Sequence, residues 1–122
     1  MSCLFRSLAP AVGLSPGALR KRIVDYIRTD PPLLDNIKAT DIVKWTEGKD
    51  LHSYTNQMYS QSTWGGAIEI RAYCELFRVA VCVHVLYTRK TFMVEPSTTT
   101  ILKTVHINYN GSHFEPMYTV IN

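Results

Sequence analysis

The chain has 122 residues and 46% of them are apolar, which is enough for one globular domain with a hydrophobic core. Lys and Arg number 13 and Asp and Glu number 10, and a net charge of +3 is too small for the clustered basic surface of a nucleic-acid-binding protein. No apolar stretch approaches the ~20 residues of a transmembrane helix, and the N-terminus lacks the apolar region of a signal peptide. We therefore expect no nucleic acid and no membrane among its partners.

The first third of the chain carries two helix patterns. Residues Cys3 to Ala9 predict one or two helical turns, which Pro10 ends. Ser15-Pro16 predicts a helix start, because Ser caps the first turn and Pro fits the first helical position. The apolar face of this helix recurs every four residues, at Leu19, Ile23 and Ile27. The densest basic run, Arg20-Lys21-Arg22, lies in the same helix, and we expect it to be a solvated face rather than a binding patch.

The middle of the chain is more polar. Asp30-Pro31-Pro32 predicts the end of the helix and the beginning of a loop, because a residue before Pro avoids the helical region. A short helix capped by Thr40 or Asp41 is expected next, and Gly48 breaks it. A polar helix follows around Leu51 to Tyr59.

A change of periodicity marks the second half. Trp64-Gly65-Gly66 is typical of a turn, and Ala67 to Phe77 then has apolar residues four apart, which predicts a helix. Val79 to Leu86 is almost wholly apolar and rich in β-branched residues, which predicts a central strand covered on both faces.

The last third is strand-like. Thr91 to Val94 and Thr104 to Tyr109 are predicted strands, and Asn110-Gly111 is a strong hairpin signal. Phe114 to Ile121 is the predicted last strand, in which Pro116 favours an edge or a bulge. Because helices come first and strands last, the order predicts an α+β fold: a small, mostly antiparallel sheet packed against helices.

The chain has three cysteines, Cys3, Cys74 and Cys82. A small, odd set of this kind does not form a disulfide framework. They indicate a reducing compartment, so we expect a cytoplasmic, intracellular protein. Cys74 lies in helix register and is expected in the core. Cys3 begins a helix, whose free N–H groups lower a thiol's pKa, and it is therefore a candidate nucleophile. The alternative is a flexible terminal cysteine without a role.

His113 follows the Asn110-Gly111 turn and is a candidate general base. Glu115, two residues further on, points to the same side of a strand. Its carboxylate can accept a hydrogen bond from the ring and fix the tautomer, as a basic histidine requires. The alternative is a surface His–Glu pair.

The remaining histidines are weaker candidates. Cys82 and His84 share a strand face and could begin a metal site. The usual paired Cys or His motifs of zinc sites are missing, however, so the sequence predicts no metal and no cofactor.

Four segments, in this order, resemble the OTU (ovarian-tumour) family of cysteine proteases. They are similar to its nucleophile helix, its Trp-Gly-Gly turn with the following helix, its core strand and the hairpin that bears its catalytic histidine. The segments are 3–9, 64–70, 79–85 and 108–115. Their shared order across almost the whole chain favours a functional role for Cys3 and His113, and it implies a single papain-like OTU domain over residues 1–122.

The resemblance implies a thiol isopeptidase that removes ubiquitin or a ubiquitin-like modifier from proteins. Cys3 would attack the carbonyl at the modifier's C-terminal glycine, His113 would transfer protons and Glu115 would orient the ring. Trp64, Gly65 and Gly66 would lie near the channel that admits the narrow Gly-Gly tail.

Two departures from the family pattern favour an alternative to an active hydrolase. The family usually has Asp-Gly-x before the nucleophile, in a loop that helps to stabilise the oxyanion, whereas only Met1 and Ser2 precede Cys3. The position two after the histidine is Glu115 rather than Asp or Asn, and Asn108 or Asn110 could substitute for it. The alternative is therefore a weak or inactive module that binds ubiquitin or another protein. The small size would suit a minimal form of the fold, of the kind expected in a virus or a mobile element.

Overall fold

The structure, a computed structural model, describes residues 2–97 and 100–117. The helices are α1 (Cys3–Leu8), α2 (Pro16–Arg28), α3 (Ala39–Glu47), α4 (Leu51–Met58) and α5 (Ala67–Phe77). The strands are β1 (Pro32–Leu34), β2 (Ile37–Lys38), β3 (Val79–Val85), β4 (Lys90–Val94), β5 (Lys103–Tyr109) and β6 (Phe114–Pro116). A short 3₁₀ helix over Ala9–Val12 follows α1. Within the described ranges, no helix has the length and the apolar content needed to cross a bilayer.

Helix α2 lies at the centre of the helical layer, where it contacts α1, α4 and α5. The Ser15 hydroxyl accepts a hydrogen bond from the Ala18 N–H at 3.2 Å, as predicted for an N-cap residue. The predicted apolar face is fully buried, at Leu19, Ile23 and Ile27. This face joins the helices into one hydrophobic core.

A four-stranded sheet in the order β4-β3-β5-β6 packs against the helices. β3 pairs antiparallel with β4, and β5 pairs antiparallel with β6, but the central pair β3–β5 is parallel. The core face of the sheet carries Val79, Val81, Val83, Val105 and Ile107. The predicted α+β fold with a mostly antiparallel sheet is confirmed, while the parallel central pair was not predicted.

Three local predictions need correction. A small antiparallel hairpin, β1–β2, occupies the region predicted to be a loop. Helix α3 begins one residue before Thr40, and the Thr40 N–H is satisfied by the remote Asp30 carboxylate at 2.8 Å rather than by a local cap. β6 ends at Pro116, and the rest of the predicted last strand, from Tyr118 onward, lies outside the described residues.

The prediction that the basic run on α2 is a solvated face is also wrong for one of its three residues. Lys21 and Arg22 are exposed, but Arg20 is only 3% exposed. Arg20 turns inward because backbone carbonyls from another part of the chain accept its hydrogen bonds, which offsets the cost of burying its charge.

Candidate active site

Cys3 occupies the first position of α1, whose inner face is anchored in the core. Leu4, Phe5 and Leu8 are each no more than 1% exposed, so packing fixes the orientation of this short helix. The Ser7 hydroxyl donates a hydrogen bond to the Cys3 carbonyl oxygen at 2.7 Å. The Cys3 side chain is buried, and it lies at the helix end where backbone N–H groups lack helical partners.

Arg20 connects the segments around α1 through its hydrogen bonds. Its guanidinium donates to the Met58 carbonyl at 2.8 Å and to the Thr63 carbonyl at 3.0 Å, and it lies 3.5 Å from the Ser2 hydroxyl. The same group lies 4.2 Å from the centre of the Phe5 ring, in a cation–π arrangement. Sequence reasoning missed this residue, because a run of three basic residues gives no sign that one of them turns inward.

The Trp64-Gly65 turn contacts both α1 and the histidine hairpin. A Cβ atom at Gly65 would lie 2.9 Å from side-chain atoms of Leu4 and Phe5, so only glycine lets the turn approach α1 so closely. The Trp64 ring centroid lies 6.3 Å from that of His113, with the planes tilted by 54°. One turn therefore connects the elements that carry Cys3 and His113.

Glu69 holds this turn from within helix α5. Its carboxylate accepts hydrogen bonds from the Gly66 N–H at 2.8 Å and from the Tyr54 hydroxyl at 2.6 Å. Glu69 is 1% exposed, and burial raises the pKa of its carboxyl to about 7 although the Tyr54 hydrogen bond acts in the opposite direction. Glu69 did not stand out in the sequence, where the available signal was its position three residues after a glycine N-cap.

His113 stands on a turn that Asn110 stabilises. The Asn110 Oδ1 atom accepts hydrogen bonds from the Ser112 N–H at 3.0 Å and the His113 N–H at 2.8 Å, and the Asn110 N–H donates to the His113 carbonyl at 3.1 Å. Gly111 has a φ of 103°, which strongly favours glycine. The predicted hairpin is thus confirmed, with Tyr109 paired to Phe114 across it.

The three acceptors suggested for the His113 ring differ in their surroundings. Asn110 Oδ1 is already engaged with the turn backbone. Glu115 is exposed, and among the described residues its carboxylate makes no hydrogen bond to the ring. Asn108 lies opposite Glu115 in the β5–β6 pair, and its Oδ1 atom is shielded from solvent without a hydrogen-bond partner in the described part of the chain.

The elements that carry Cys3 and His113 are neighbours, because α1 packs against β6, which His113 immediately precedes. Within residues 2–97 and 100–117, however, no hydrogen bond joins the Cys3 sulfur to the ring. Catalytic hydrogen bonds are often long in substrate-free enzymes and shorten in the complex.

A cavity of about 360 Å³ lies beside the Trp64 turn, on the side of α3 and α5. Trp64 and Gly66 line it together with Ile42, Tyr54 and other residues. Gly65 does not contribute to this lining, since its close contacts are with α1. The turn predicted to border the substrate channel therefore has one residue that packs inward and two that face a groove.

The other two cysteines lie in different surroundings. Cys74 is fully buried in α5, as predicted, and burial raises the pKa of its thiol to about 12. Cys82 lies in the middle of β3, near His84 and His106. Because β3 is paired on both sides, the backbone around Cys82 is engaged in the sheet, unlike the free helix start at Cys3.

Comparisons with known proteins identify the family to which the chain is related. The family described as "OTU-like cysteine protease" matches residues 2–120. The chain is 30% identical to the "Putative ubiquitin thioesterase otu1" of Schizosaccharomyces pombe over 93% of its length, and 32% identical to the "Ubiquitin thioesterase OTU1" of Mus musculus over 95%. It spans about a third of the length of these curated relatives, 32% and 33%.

Solved structures show the same fold at lower identity. An OTU domain in complex with ubiquitin superposes with a TM-score of 0.74 at 22% identity, covering 94% of this chain and 62% of that one. The OTUD1 OTU domain gives 0.75 at 16% identity, covering 97% and 79%. An OTU deubiquitinase from Wolbachia pipientis wMel gives 0.73 at 22% identity, covering 94% and 80%. The chain belongs to the family of OTU-like cysteine proteases.

Proposed function

We propose that this domain is a cysteine-type deubiquitinase, which hydrolyses the bond between the C-terminal glycine of ubiquitin, or of a ubiquitin-like protein, and a substrate. The observation that carries the proposal is the position of the Trp64-Gly65 turn between the two candidate residues. Gly65 contacts the helix that begins at Cys3, and the Trp64 ring lies beside the His113 ring. Family membership and the printed names of the two curated relatives support it.

Cys3 is the proposed nucleophile because it stands at the start of α1, where backbone N–H groups lack helical partners, and because core packing fixes the orientation of the helix. His113 takes the thiol proton as the sulfur attacks the carbonyl carbon. The Cys3 N–H donates to the developing oxyanion. His113 then protonates the leaving amine, and a thioester remains on Cys3. Water, deprotonated by His113, hydrolyses this thioester and releases the free carboxylate together with the thiol.

Glu115 is the proposed orienting residue for His113, and Asn108 is the second candidate. Either side chain can accept a hydrogen bond from the ring nitrogen that does not face the thiol. The groove beside Trp64 and Gly66 supports a role for this turn in admitting the tail of the modifier. We also propose an intracellular site of action, because a reducing compartment keeps the nucleophile free.

The second candidate function is a module that binds ubiquitin or another protein without cleaving it. It is favoured by the absence, within the described residues, of a hydrogen bond between Cys3 and His113. The two functions differ in one chemical property, the ability of Cys3 to form a covalent bond with a substrate carbonyl.

Incubation with ubiquitin that carries a C-terminal electrophile tests this property. We expect a covalent adduct with the unmodified domain and none with Cys3→Ala, measured by intact-protein mass spectrometry. Cys74→Ala is the matched control and should still be captured, because a fully buried thiol with a pKa near 12 is not a thiolate at neutral pH.

Capture that persists in Cys3→Ala would show that another thiol reacts, and Cys82 would be examined next. Reversible binding without capture, measured by calorimetry with free ubiquitin, would support the binding module. If the domain is neither captured by the probe nor bound by free ubiquitin, both functions are excluded for ubiquitin itself.

A further inference from the structure

We propose that Cys82, His84 and His106 form a zinc site that links β3 to β5 on the face of the sheet opposite the core side chains Val81 and Val83. The site is separate from the proposed reaction at Cys3, so it does not depend on the function proposed above. Among the described residues, these three are the group of His, Cys, Asp and Glu side chains close enough to share a metal ion.

The parallel pairing of β3 with β5 brings the three side chains together. Cys82 and His106 are direct partners in the register, and His84 lies two residues after Cys82 on the same strand. Side chains two apart on a strand share a face, and Val81 and Val83, on either side of Cys82, point into the core. The three candidate ligands therefore project from one small area on two hydrogen-bonded strands, which is a rigid base for coordination.

The distances between the ligand atoms are close to those of a tetrahedral zinc site. The sulfur and the ring nitrogens all lie within 4.8 Å of one another, and His84 Nε2 is 2.9 Å from His106 Nδ1. Zinc with nitrogen at about 2.0 Å and sulfur at about 2.3 Å places coordinated atoms roughly 3.3–3.6 Å apart.

The chemistry of the ligands favours zinc over calcium or magnesium. A thiolate and two imidazoles suit a borderline-soft ion, whereas calcium and magnesium require oxygen ligands. Three protein ligands leave the fourth position to water, as in open zinc sites. Cys82 is buried, at 7% exposure, and an ion would reach it past His84, which is half-buried, and His106, which is exposed. Coordination releases the Cys82 thiol proton to solvent.

The alternative is a simple hydrogen bond between the two imidazoles, in which one ring donates and the other accepts. That arrangement uses neither the Cys82 sulfur nor a metal. The two possibilities predict different spectra with cobalt, because only a metal bound to Cys82 produces a thiolate-to-metal charge-transfer band.

Titration of the chelator-treated domain with Co²⁺, followed by absorbance, tests the proposal. We expect a charge-transfer band in the near ultraviolet that saturates at one equivalent and disappears when Zn²⁺ displaces Co²⁺. Cys82→Ser should remove the band, and His106→Gln should weaken the affinity by about tenfold or more, since even outer partners of metal ligands cost that much. Saturating Zn²⁺ should also raise Tm by several degrees, but not in His106→Gln.

Two matched controls keep the result specific. Cys3→Ser removes the other reactive thiol, and His52→Gln removes an exposed histidine that contacts Arg28 on the helical side. Both variants should bind Co²⁺ with unchanged spectrum and affinity. If Cys82→Ser fails to fold, His106→Gln decides, because its side chain is exposed.

Three results would overturn the proposal. The first is no charge-transfer band at one equivalent of Co²⁺. The second is a band that survives in Cys82→Ser or is lost in Cys3→Ser. The third is unchanged metal affinity in a folded His106→Gln variant.

Discussion

At the scale of single residues, Asn108 has a buried polar atom whose position does not stabilise the fold. Its Oδ1 atom is shielded from solvent and lacks a hydrogen-bond partner among the described residues. A buried acceptor without a partner costs about 1–3 kcal/mol, so such a group calls for an explanation. Asn108 lies opposite Glu115, close to the turn that carries His113. Glu115 is exposed instead, so water competes with the His113 ring for its carboxylate.

Kinetic constants for a ubiquitin-based fluorogenic substrate rank these residues. We expect His113→Ala to lower kcat by on the order of a thousandfold while ubiquitin affinity changes little, because the base acts only in the chemical step. Glu115→Ala and Asn108→Ala should each lower kcat by about tenfold, since an orienting group matters less than the base. Asn108→Ala should not lower Tm, because the acceptor that it removes has no hydrogen-bond partner among the described residues. Equal losses for Glu115→Ala and His113→Ala would contradict this ranking.

At the scale of secondary-structure elements, the arrangement of the site depends on how closely a turn approaches a helix. Gly65 is pressed against α1, and the first residues of α5 are held by the Glu69 hydrogen bonds to Gly66 and Tyr54. Trp64 then lies beside His113. The separation of α1 from the histidine hairpin is therefore set by packing between elements that are distant in the sequence.

Gly65→Ala tests this dependence. A Cβ atom 2.9 Å from side-chain atoms of Leu4 and Phe5 must displace these two buried side chains, and overpacking of this kind costs about 1–3 kcal/mol. We expect a lower free energy of unfolding in urea and slower capture by the ubiquitin probe. Gly17→Ala is the control, because nothing lies within 4 Å of the added atom, and a helical Ala should leave stability equal or slightly higher. Equal stability of both variants would show that α1 yields without cost.

At the scale of the whole molecule, two ionisable side chains are buried, and the titration of one of them makes the stability of the fold depend on pH. Arg20 and Glu69 are 3% and 1% exposed. Burial lowers the pKa of the Arg20 guanidinium, while the charge of Glu69 acts in the opposite direction. Burial raises the pKa of Glu69 from 4.5 to about 7. At a pH between these two pKa values, Glu69 is therefore protonated in the folded protein and ionised in the unfolded chain.

Stability should consequently fall as the pH rises from about 4.5 to about 7. The rise in the pKa of Glu69 corresponds to about 3 kcal/mol, fully present below pH 4.5 and lost as the pH passes the folded value. Glu69→Gln should remove this dependence, because the amide carries no titrating proton and can still bond to Gly66 and Tyr54. The measurement is the free energy of unfolding of both proteins in urea from pH 4.5 to 8. A constant difference between them across this range would contradict the assignment.

Much of the fold was predictable, because its signals are local. Periodicity and capping residues placed α2 and α5, the β-branched run placed β3, and Asn110-Gly111 placed the β5–β6 hairpin. The family followed from the order of short motifs. The assignment of Cys3, His113 and Glu115 to catalysis stays a prediction, as does the role of Trp64, Gly65 and Gly66 in binding.

The sequence by itself determined which segments form helices and strands and which residues can carry thiol chemistry. The tertiary structure decided what those residues touch. It turned Arg20 inward, set Gly65 against α1, and paired Cys82 with His106 through a parallel register that no local pattern encodes. Periodicity reports only the geometry of neighbouring residues, whereas these contacts join positions from 24 to 61 apart, whose proximity depends on how all the elements pack together.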